Sequence, residues 1–258
     1  MKKIFALLLI IFSATLHAQN FSAYSKELFI QNNDTLPYRL LLPENYDASK
    51  KYPLIIFLHG SGERGNDNES QLSHGADLFL KDDIRKNYPA IIVFPQCPEN
   101  SSWSNVSIKT DSSGKELFDF SPAGKPTTAM VLTEGMIKGL TQKYAVNKKQ
   151  VYVGGLSMGG MGTFEIVRRN PKLFAAAFPM CGGANPSSAK KLKHTAWWIF
   201  HGAKDDVVNP AFSQQMADAL TNIKADVKFT LYPNANHNCW DSAFAEPELL
   251  SWLFSHYK

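Results

Sequence analysis

Three observations predict a doubly wound, mostly parallel α/β sheet that forms a single domain. Short apolar runs alternate with longer segments of helical pattern along most of the 258-residue chain, and this alternation is typical of parallel strands joined by helices. The runs are apolar at nearly every position, which indicates strands buried on both faces of the sheet. No internal repeat, linker or low-complexity block divides the chain, and its length is sufficient for one domain with a large core.

The elements are predicted in the following order. Two strands at 24–30 and 38–42 are joined by a polar turn at 32–34. Six core strands follow, at 54–58, 91–94, 151–153, 175–178, 197–200 and 229–232. Helical patterns separate them at 128–144, 160–169 and 212–222, with a last one near 246–257. The polar segment at 97–125 is predicted to be a long loop, and long loops are often functional.

Residues 1–18 are predicted to be a secretory signal peptide, which leaves 19–258 as the mature domain. Lys2 and Lys3 form a basic start, and the apolar run that follows is too short to span a bilayer. Ala18 is a small residue before the cut. A retained membrane anchor is the alternative. No later run is long and apolar enough to cross a membrane, so we expect a secreted or periplasmic protein.

Composition argues against several partner and cofactor classes. The formal net charge of +4 falls to near +2 without the signal peptide, which is too mild to indicate nucleic acid or an anionic membrane surface. There is no C-x-x-C and no H-E-x-x-H, so neither a metal nor a cofactor is expected. Cys97, Cys181 and Cys239 allow one disulfide and one free thiol in an exported protein, and the sequence leaves the pair open.

The segment 151–171, VYVGGLSMGGMGTFEIVRRNP, places one serine among glycines between a predicted strand and a predicted helix. Its centre, Gly155-Leu156-Ser157-Met158-Gly159, fits the pattern G-x-S-x-G. A strand that turns directly into a helix strains the middle residue, and the glycines two positions away relieve the crowding. Ser157 is therefore predicted to be a nucleophile whose oxygen is held at the tip of the turn. The alternative is an ordinary serine in a glycine-rich turn.

A nucleophilic serine needs a base to remove its proton and a carboxylate to orient that base. In a sheet of this kind the acid and then the histidine should follow the serine, each in a loop after a later strand. Asp205 and Asp206 lie just past the predicted strand 197–200. His237 lies in the turn-rich loop after the last core strand and is predicted to be the base. His201 comes before the acid, so we expect its replacement to affect folding or to do little.

A second glycine cluster, HGSGERG at 59–65, directly follows a predicted strand. It also matches the dinucleotide fingerprint G-x-G-x-x-G, which requires an apolar helix after the last glycine and an acid at the end of the next strand. A polar segment follows instead and the next strand ends without an acid, so a nicotinamide-binding site is disfavoured. As an oxyanion loop, the cluster would supply the backbone N–H of Ser61, with Gly62 as the alternative, and Met158 would supply the second N–H.

The combination of HGSGERG, FPQCP with a following Trp103, GLSMGGMG, HGAKDDVV and NANH resembles the α/β-hydrolase serine esterases, from about Lys51 to the C-terminus. The nearest groups are the secreted phospholipase/carboxylesterase-like and the polyhydroxybutyrate-depolymerase/feruloyl-esterase-like enzymes. The resemblance implies an α/β-hydrolase fold and hydrolysis of carboxylic esters through an acyl-enzyme. In that family the acid is the fourth residue after the histidine of an HG-x-x-D pattern, which selects Asp205 over Asp206.

The substrate is predicted only as a class. Trp103 and Trp240 are candidate substrate-binding residues whose rings could stack on a sugar or a cinnamoyl ring, and the alternative is that each simply packs. The connection at 179–196, where relatives often insert a lid, is short and polar, so we expect an open cleft without a large cap. Such a cleft suits short-chain acyl groups, or feruloyl and acetyl esters on carbohydrate. A prolyl-oligopeptidase-like peptidase, a lysophospholipase and a non-catalytic binding module remain as alternatives.

Overall fold

The computed structural model describes residues 20–112, 114, 116–120 and 124–258 of the chain. The expected signal peptide at 1–18 lies outside the described residues. Among the helices that are described, none is long and apolar enough to cross a membrane.

The central feature of the fold is a large mixed sheet. The strands of the described residues are Ser25–Gln31 (β1), Asp34–Leu41 (β2), Tyr52–Leu58 (β3), Ile91–Pro95 (β4), Val106–Thr110 (β5), Glu116–Phe120 (β6), Val146–Leu156 (β7), Ala176–Met180 (β8), Ala196–Gly202 (β9) and Val227–Tyr232 (β10). Eight of them form one sheet in the order β1-β2-β4-β3-β7-β8-β9-β10. β2 pairs antiparallel with β1 and β4. In the rest of the sheet, in the order β4-β3-β7-β8-β9-β10, neighbouring strands pair in parallel. The carboxyl ends of the parallel strands therefore share one edge, where the chemistry of such sheets gathers.

Helices cover both faces of this sheet, as the alternating pattern predicts. They are Asp82–Asn87 (α1), Thr128–Lys143 (α2), Met158–Arg169 (α3), Ala189–Leu192 (α4), Ala211–Asn222 (α5), Trp240–Phe244 (α6) and Leu249–Ser255 (α7). One core lies under α2, α3 and α5 and contains Val153 and Trp197. The other lies under α6 and α7 and contains Tyr152 and Trp198. Successive side chains of a strand point to opposite faces, so adjacent residues of β7 and of β9 fill different cores.

The predicted fold class is confirmed, and each strand predicted for the main sheet is present with shifted ends. β7 begins at Val146 rather than 151, because residues 147–150 are polar and at least partly exposed and interrupt the apolar signal. The terminal helix predicted near 246–257 corresponds to α7, and the short helix α6, which was not predicted, precedes it. Pro247 lies between them and lacks the N–H that a continuous helix would use there.

The segment 97–125, predicted to be a loop, contains the β5–β6 hairpin, which corrects that prediction. Val106 pairs with Phe120 and Ile108 pairs with Phe118, so these four side chains lie on one face of the hairpin. Each strand has only five residues, and apolar residues alternate with polar ones, which is a weaker signal than a continuous apolar run. Among the described residues there is no separate cap domain, as expected, but this hairpin lies beside Ser157.

Candidate active site

Ser157 occupies the turn between β7 and α3, as the G-x-S-x-G pattern predicts. Its backbone dihedrals are φ 53° and ψ −117°, a combination that strains any residue other than glycine. A Cβ atom on Gly155 would lie 2.7 Å from the carbonyl oxygen of Leu58. A Cβ atom on Gly159 would lie 2.7 Å from the carbonyl oxygen of His59. Only glycine fits at both positions, so the close approach of α3 to β3 depends on them.

Ser157, His237 and Asp205 lie in one hydrogen-bonded line, although they are distant in sequence. They follow β7, β10 and β9, which all end at the same edge of the sheet. The Oγ atom of Ser157 lies 2.9 Å from Nε2 of His237. Nδ1 of His237 donates to Oδ2 of Asp205 at 2.8 Å, because an ionised carboxylate only accepts. In the neutral ring Nε2 is then free to accept the proton of the serine hydroxyl.

The carboxylate of Asp205 is buried and accepts four hydrogen bonds. Its Oδ1 accepts from the backbone N–H groups of Val207 at 3.0 Å and Val208 at 2.9 Å. Its Oδ2 accepts from His237 and also from Nε2 of His201, which lies 3.0 Å away. Burial by itself would raise the pKa of Asp205, but the hydrogen bonds from both histidines and a backbone N–H outweigh it and hold the pKa well below its usual value. The carboxylate is therefore ionised at neutral pH and far into the acid range.

The second candidate acid, Asp206, lies outside this line. It is exposed, and its backbone N–H donates to the side chain of Asn236 at 3.2 Å. The geometry thus favours Asp205, the residue that the HG-x-x-D spacing selects. His201 does not contact the serine, in agreement with its exclusion as the base. Its contact with the acid is a feature that sequence order did not indicate.

The two residues predicted to supply oxyanion-hole N–H groups lie at the starts of two helices. Met158 is the first residue of α3, and Ser61 is the first residue of the short 3₁₀ helix Ser61–Glu63. N–H groups at these positions have no partner inside their own helix, and the helix dipole adds positive partial charge there. Both residues line the same cavity as Ser157. Gly62, the alternative donor, is not among the described residues that line it.

A buried histidine that sequence reasoning did not single out holds the Ser61 loop in place. His59 is 2% exposed, and its Nδ1 lies 2.6 Å from the carbonyl oxygen of Gly60. Its Nε2 accepts from the backbone N–H of Cys97 at 2.9 Å, so the ring is neutral with its proton on Nδ1. Burial lowers the pKa of His59 to about 4. The FPQCP motif could have indicated this role, because its cysteine supplies the N–H.

The structure places neither predicted tryptophan on the wall of the cavity. Trp103 is fully buried, and its indole N–H donates to the carbonyl oxygen of His59 at 3.0 Å. Trp103 therefore supports the loop from behind, where no substrate reaches it. Trp240 is half-buried and packs edge to face against the ring of His237, with the ring centroids 5.4 Å apart. Both positions agree with the alternative in which each ring packs.

Cys181 and Cys239 form a disulfide, and Cys97 is a buried free thiol, which resolves the choice that the sequence left open. Cys181 directly follows β8, and Cys239 lies two residues after His237. The bond therefore ties the histidine loop to the edge of the sheet. Among the described residues, the sulfur of Cys181 lies close enough to His201 and Asp205 to complete a metal site. Within the disulfide, however, this sulfur is not available as a thiolate ligand.

A cavity of about 360 Å³ opens in front of Ser157, near the lower end of the range of about 300–1,000 Å³ for small-molecule sites. Its lining is mixed, and the apolar part comes from the hairpin residues Val106, Ile108 and Phe118 together with Met158, Met161, Val207 and Val208. Arg64 also lines the cavity. Its guanidinium donates to the carbonyl oxygen of Ser61 at 3.0 Å and to that of Glu99 at 3.1 Å, so it braces the loop that carries the Ser61 N–H.

The doubly wound sheet and the serine at its strand-to-helix turn define an α/β-hydrolase, and comparison with known proteins shows that it is an ester-hydrolysing enzyme. The chain belongs to the family described as putative esterases, which matches residues 31–252. A solved thermostable esterase is 31% identical, with a TM-score of 0.82 over 92% of this chain and 64% of its own. A ferulic acid esterase from Anaeromyces mucronatus, solved with ferulic acid, is 18% identical with a TM-score of 0.62, covers 86% of each chain, and shows the fold alone.

Curated relatives point to the same esterase group. Lysophospholipase-like protein 1 of Mus musculus is 24% identical over 213 residues, which are 78% of this chain and 85% of the relative. Probable feruloyl esterase C of Aspergillus oryzae is 24% identical over 75% of this chain and 65% of the relative. A bifunctional acetylxylan esterase/xylanase of Neocallimastix patriciarum is 34% identical over 70% of this chain. The chain spans less than two thirds of the feruloyl esterase and 24% of the bifunctional enzyme.

Proposed function

We propose that the protein is a serine carboxylesterase that acts through an acyl-enzyme on Ser157. The observation that supports this most directly is the hydrogen-bonded line from Ser157 through His237 to Asp205, with distances of 2.9 and 2.8 Å. The line opens on a cavity that Ser61 and Met158, the proposed oxyanion-hole residues, also line. These groups suffice for ester hydrolysis without a metal or cofactor.

In acylation, His237 removes the hydroxyl proton of Ser157 while the serine oxygen bonds to the ester carbonyl carbon. The carbonyl oxygen becomes negative and accepts hydrogen bonds from the N–H groups of Ser61 and Met158. His237 then gives its proton to the alcohol oxygen as the ester bond breaks. A water molecule repeats these steps on the acyl-enzyme, which releases the acid and restores the serine. Asp205 stays ionised throughout and stabilises the histidine cation.

For the substrate, we propose a short-chain acyl ester, or a feruloyl or acetyl ester on carbohydrate. The moderate volume of the cavity and the apolar hairpin side chains Ile108 and Phe118 along its wall support an acyl group of this size. Feruloyl and acetylxylan esterases are among the relatives. A lysophospholipase is the second candidate, because the mouse relative matches over most of its own length.

We also infer that the protein is exported, to the periplasm or beyond the cell. The signal-peptide pattern at 1–18 supports this, and so does the disulfide between Cys181 and Cys239, because disulfides persist in oxidising compartments. Expression of the full chain in a bacterial host tests it. The mature protein should then begin near residue 19 and be found outside the cytoplasm.

The Ser157→Ala variant tests the proposed chemistry. Hydrolysis of p-nitrophenyl acetate and butyrate should fall by about 10⁴-fold or more, because the nucleophile is gone. Ser61→Ala is a matched control: it removes a hydroxyl but keeps the backbone N–H, so it should retain most of the activity. A fluorophosphonate probe should label the native protein and not Ser157→Ala. Equal hydrolysis by both proteins, or no labelling of the native one, would reject a serine mechanism.

A substrate panel tests the proposed ester class. It comprises methyl ferulate, an acetylated xylooligosaccharide, p-nitrophenyl esters of increasing chain length, lysophosphatidylcholine and a chromogenic prolyl amide. We expect the highest kcat/KM on short-chain, feruloyl or acetyl esters. A rate that rises steadily with chain length, with none on ferulate or sugar esters, would favour the lysophospholipase. A faster amide than ester reaction would favour a peptidase.

A further inference from the structure

His201 is the last residue but one of β9 and lies against Asp205. Its side chain is fully buried. Its Nε2 lies 3.0 Å from Oδ2 of Asp205 and 2.9 Å from the carbonyl oxygen of Val208. Its Nδ1 lies 2.7 Å from the hydroxyl oxygen of Ser213 on α5. The ring is thus fixed on both sides by groups from two different elements.

These partners determine where the ring carries a proton. Both neighbours of Nε2 are oxygens that only accept, so Nε2 of His201 must carry a hydrogen. The hydroxyl of Ser213 lies between Nδ1 and the carbonyl oxygen of Gly182, which is 2.9 Å away. It can donate to either, so the Nδ1 side adapts, while the N–H of Nε2 always faces the carboxylate of Asp205 and the carbonyl oxygen of Val208.

Oδ2 of Asp205 is consequently shared by two histidine N–H groups, one from His201 and one from His237. A buried carboxylate oxygen that loses one of two donors is left poorly compensated, and the group gains freedom to rotate. Sharing also reduces the negative charge that each ring experiences, because one oxygen serves two donors.

We propose that His201 is a positioning residue, which holds the carboxylate of Asp205 in line with His237 and shares the negative charge of Oδ2 with that ring. This proposal rests on the proposed serine esterase function. It revises the expectation that replacing His201 affects folding or does little.

The other charged or titratable groups near this pair are few among the described residues. Asp206 is exposed, Arg64 lines the cavity and His74 contacts the ring of Trp240. None of the three contacts the carboxylate of Asp205 among the hydrogen bonds described. A change in pH dependence on replacing His201 therefore reports on its contact with Asp205.

Three substitutions separate this role from simple packing. His201→Gln can place an amide N–H where Nε2 lies, whereas His201→Asn reaches only the Nδ1 position, and His201→Leu has no donor. We expect His201→Gln to keep kcat close to the native value. His201→Asn and His201→Leu should lower kcat by roughly 10- to 100-fold with KM unchanged, as is typical for a residue that orients a primary group.

The pH profile of kcat/KM gives a second readout. In His201→Asn and His201→Leu the acid limb should move to higher pH, because His237 then has the whole charge of Oδ2 to itself and protonates more readily. In His201→Gln the limb should not move. Equal behaviour of the Gln and Asn variants, or native kcat and pH profile in His201→Leu, would overturn the proposal.

A spectroscopic test of the native protein does not depend on how the variants fold or on activity. ¹⁵N-histidine NMR should show an exchange-protected ring proton on Nε2 of His201 at neutral pH, since this residue is fully buried. A native spectrum in which Nε2 of His201 carries no proton would overturn the proposal. The proposed function is tested separately, because Ser157→Ala abolishes ester hydrolysis whether or not His201 positions the acid.

Discussion

At the residue scale, the carboxylate of Asp205 connects its own loop with the rings of His237 and His201. Its Oδ1 is fixed by two backbone N–H groups of its own loop, and its Oδ2 receives two histidine rings. Each of the two carboxylate oxygens thus faces two donors. The orientation of His237 therefore depends on the charge of Asp205 and also on the fact that both carboxylate oxygens are acceptors.

We predict that Asp205→Asn lowers kcat by about 10⁴-fold on p-nitrophenyl acetate. The amide has nearly the same size but carries an N–H₂ group. This group would face N–H donors, so His237 would take the wrong tautomer or lose its partner. Asp206→Asn is the matched control, because that side chain is exposed and outside the line, and it should retain near-native kcat. A large loss in Asp206→Asn with little in Asp205→Asn would mean that the other acid orients the base.

At the element scale, the disulfide is the covalent link between the histidine loop and the sheet. It joins Cys181, at the end of β8, to Cys239, at the start of α6, across 58 residues of sequence. By the loop-closure relation a link of this span stabilises the folded state by about 4 kcal/mol. It also restricts the loop that carries His237.

We predict that the free energy of unfolding of the double variant Cys181→Ala/Cys239→Ala, measured in urea, is lower by about 4 kcal/mol. Its kcat should also be lower. Cys97→Ala is the control. The Cys97 thiol is unbonded, and burial raises its pKa to about 12, so its replacement removes a small buried side chain but no covalent link. Unchanged kcat and unfolding free energy in the double variant would show that packing alone holds the loop.

The strands and the hairpin also show which features of the fold the sequence could predict and which it could not. Strands buried on both faces are continuous apolar runs, so those of the main sheet were predictable, and so was the order of Ser157, the acid loop and His237. The β5–β6 hairpin was not, because its apolar face is turned to a cavity and its pattern alternates over only five residues per strand. The contacts of His59 and His201 depend on partners that the fold brings together, and no spacing in the sequence indicates them.

At the scale of the whole molecule, the free energy of unfolding should depend on pH through His59. Its pKa is lowered to about 4 in the folded state by burial, against roughly 6.5 in an unfolded chain. The folded state thus binds fewer protons than the unfolded state between these values. The stabilisation is complete above pH 6.5 and is lost as the pH falls toward 4, by roughly 3 kcal/mol in total.

We predict that urea unfolding of the native protein shows this loss between pH 7 and pH 4. In His59→Gln the loss over the same interval should be smaller by roughly 3 kcal/mol, because the titrating group is absent. The variant itself starts from a lower stability at pH 7, since glutamine cannot reproduce both ring hydrogen bonds. An identical pH dependence in the two proteins would show that His59 does not titrate on unfolding. Asp205 adds a further loss only at lower pH, because its folded pKa is depressed.

The β5–β6 hairpin stands apart from the main sheet and is held mainly by aromatic contacts, with Phe118 and Phe120 packed against Phe212 of α5. The residues proposed to cleave the ester lie at the edge of the sheet, whereas part of the cavity wall proposed to contact the acyl group belongs to this hairpin. Substrate preference can therefore diverge through changes in one surface segment while bond-breaking chemistry and folding stay intact. Exchange of this segment between related enzymes offers a direct route to new specificities on the same scaffold.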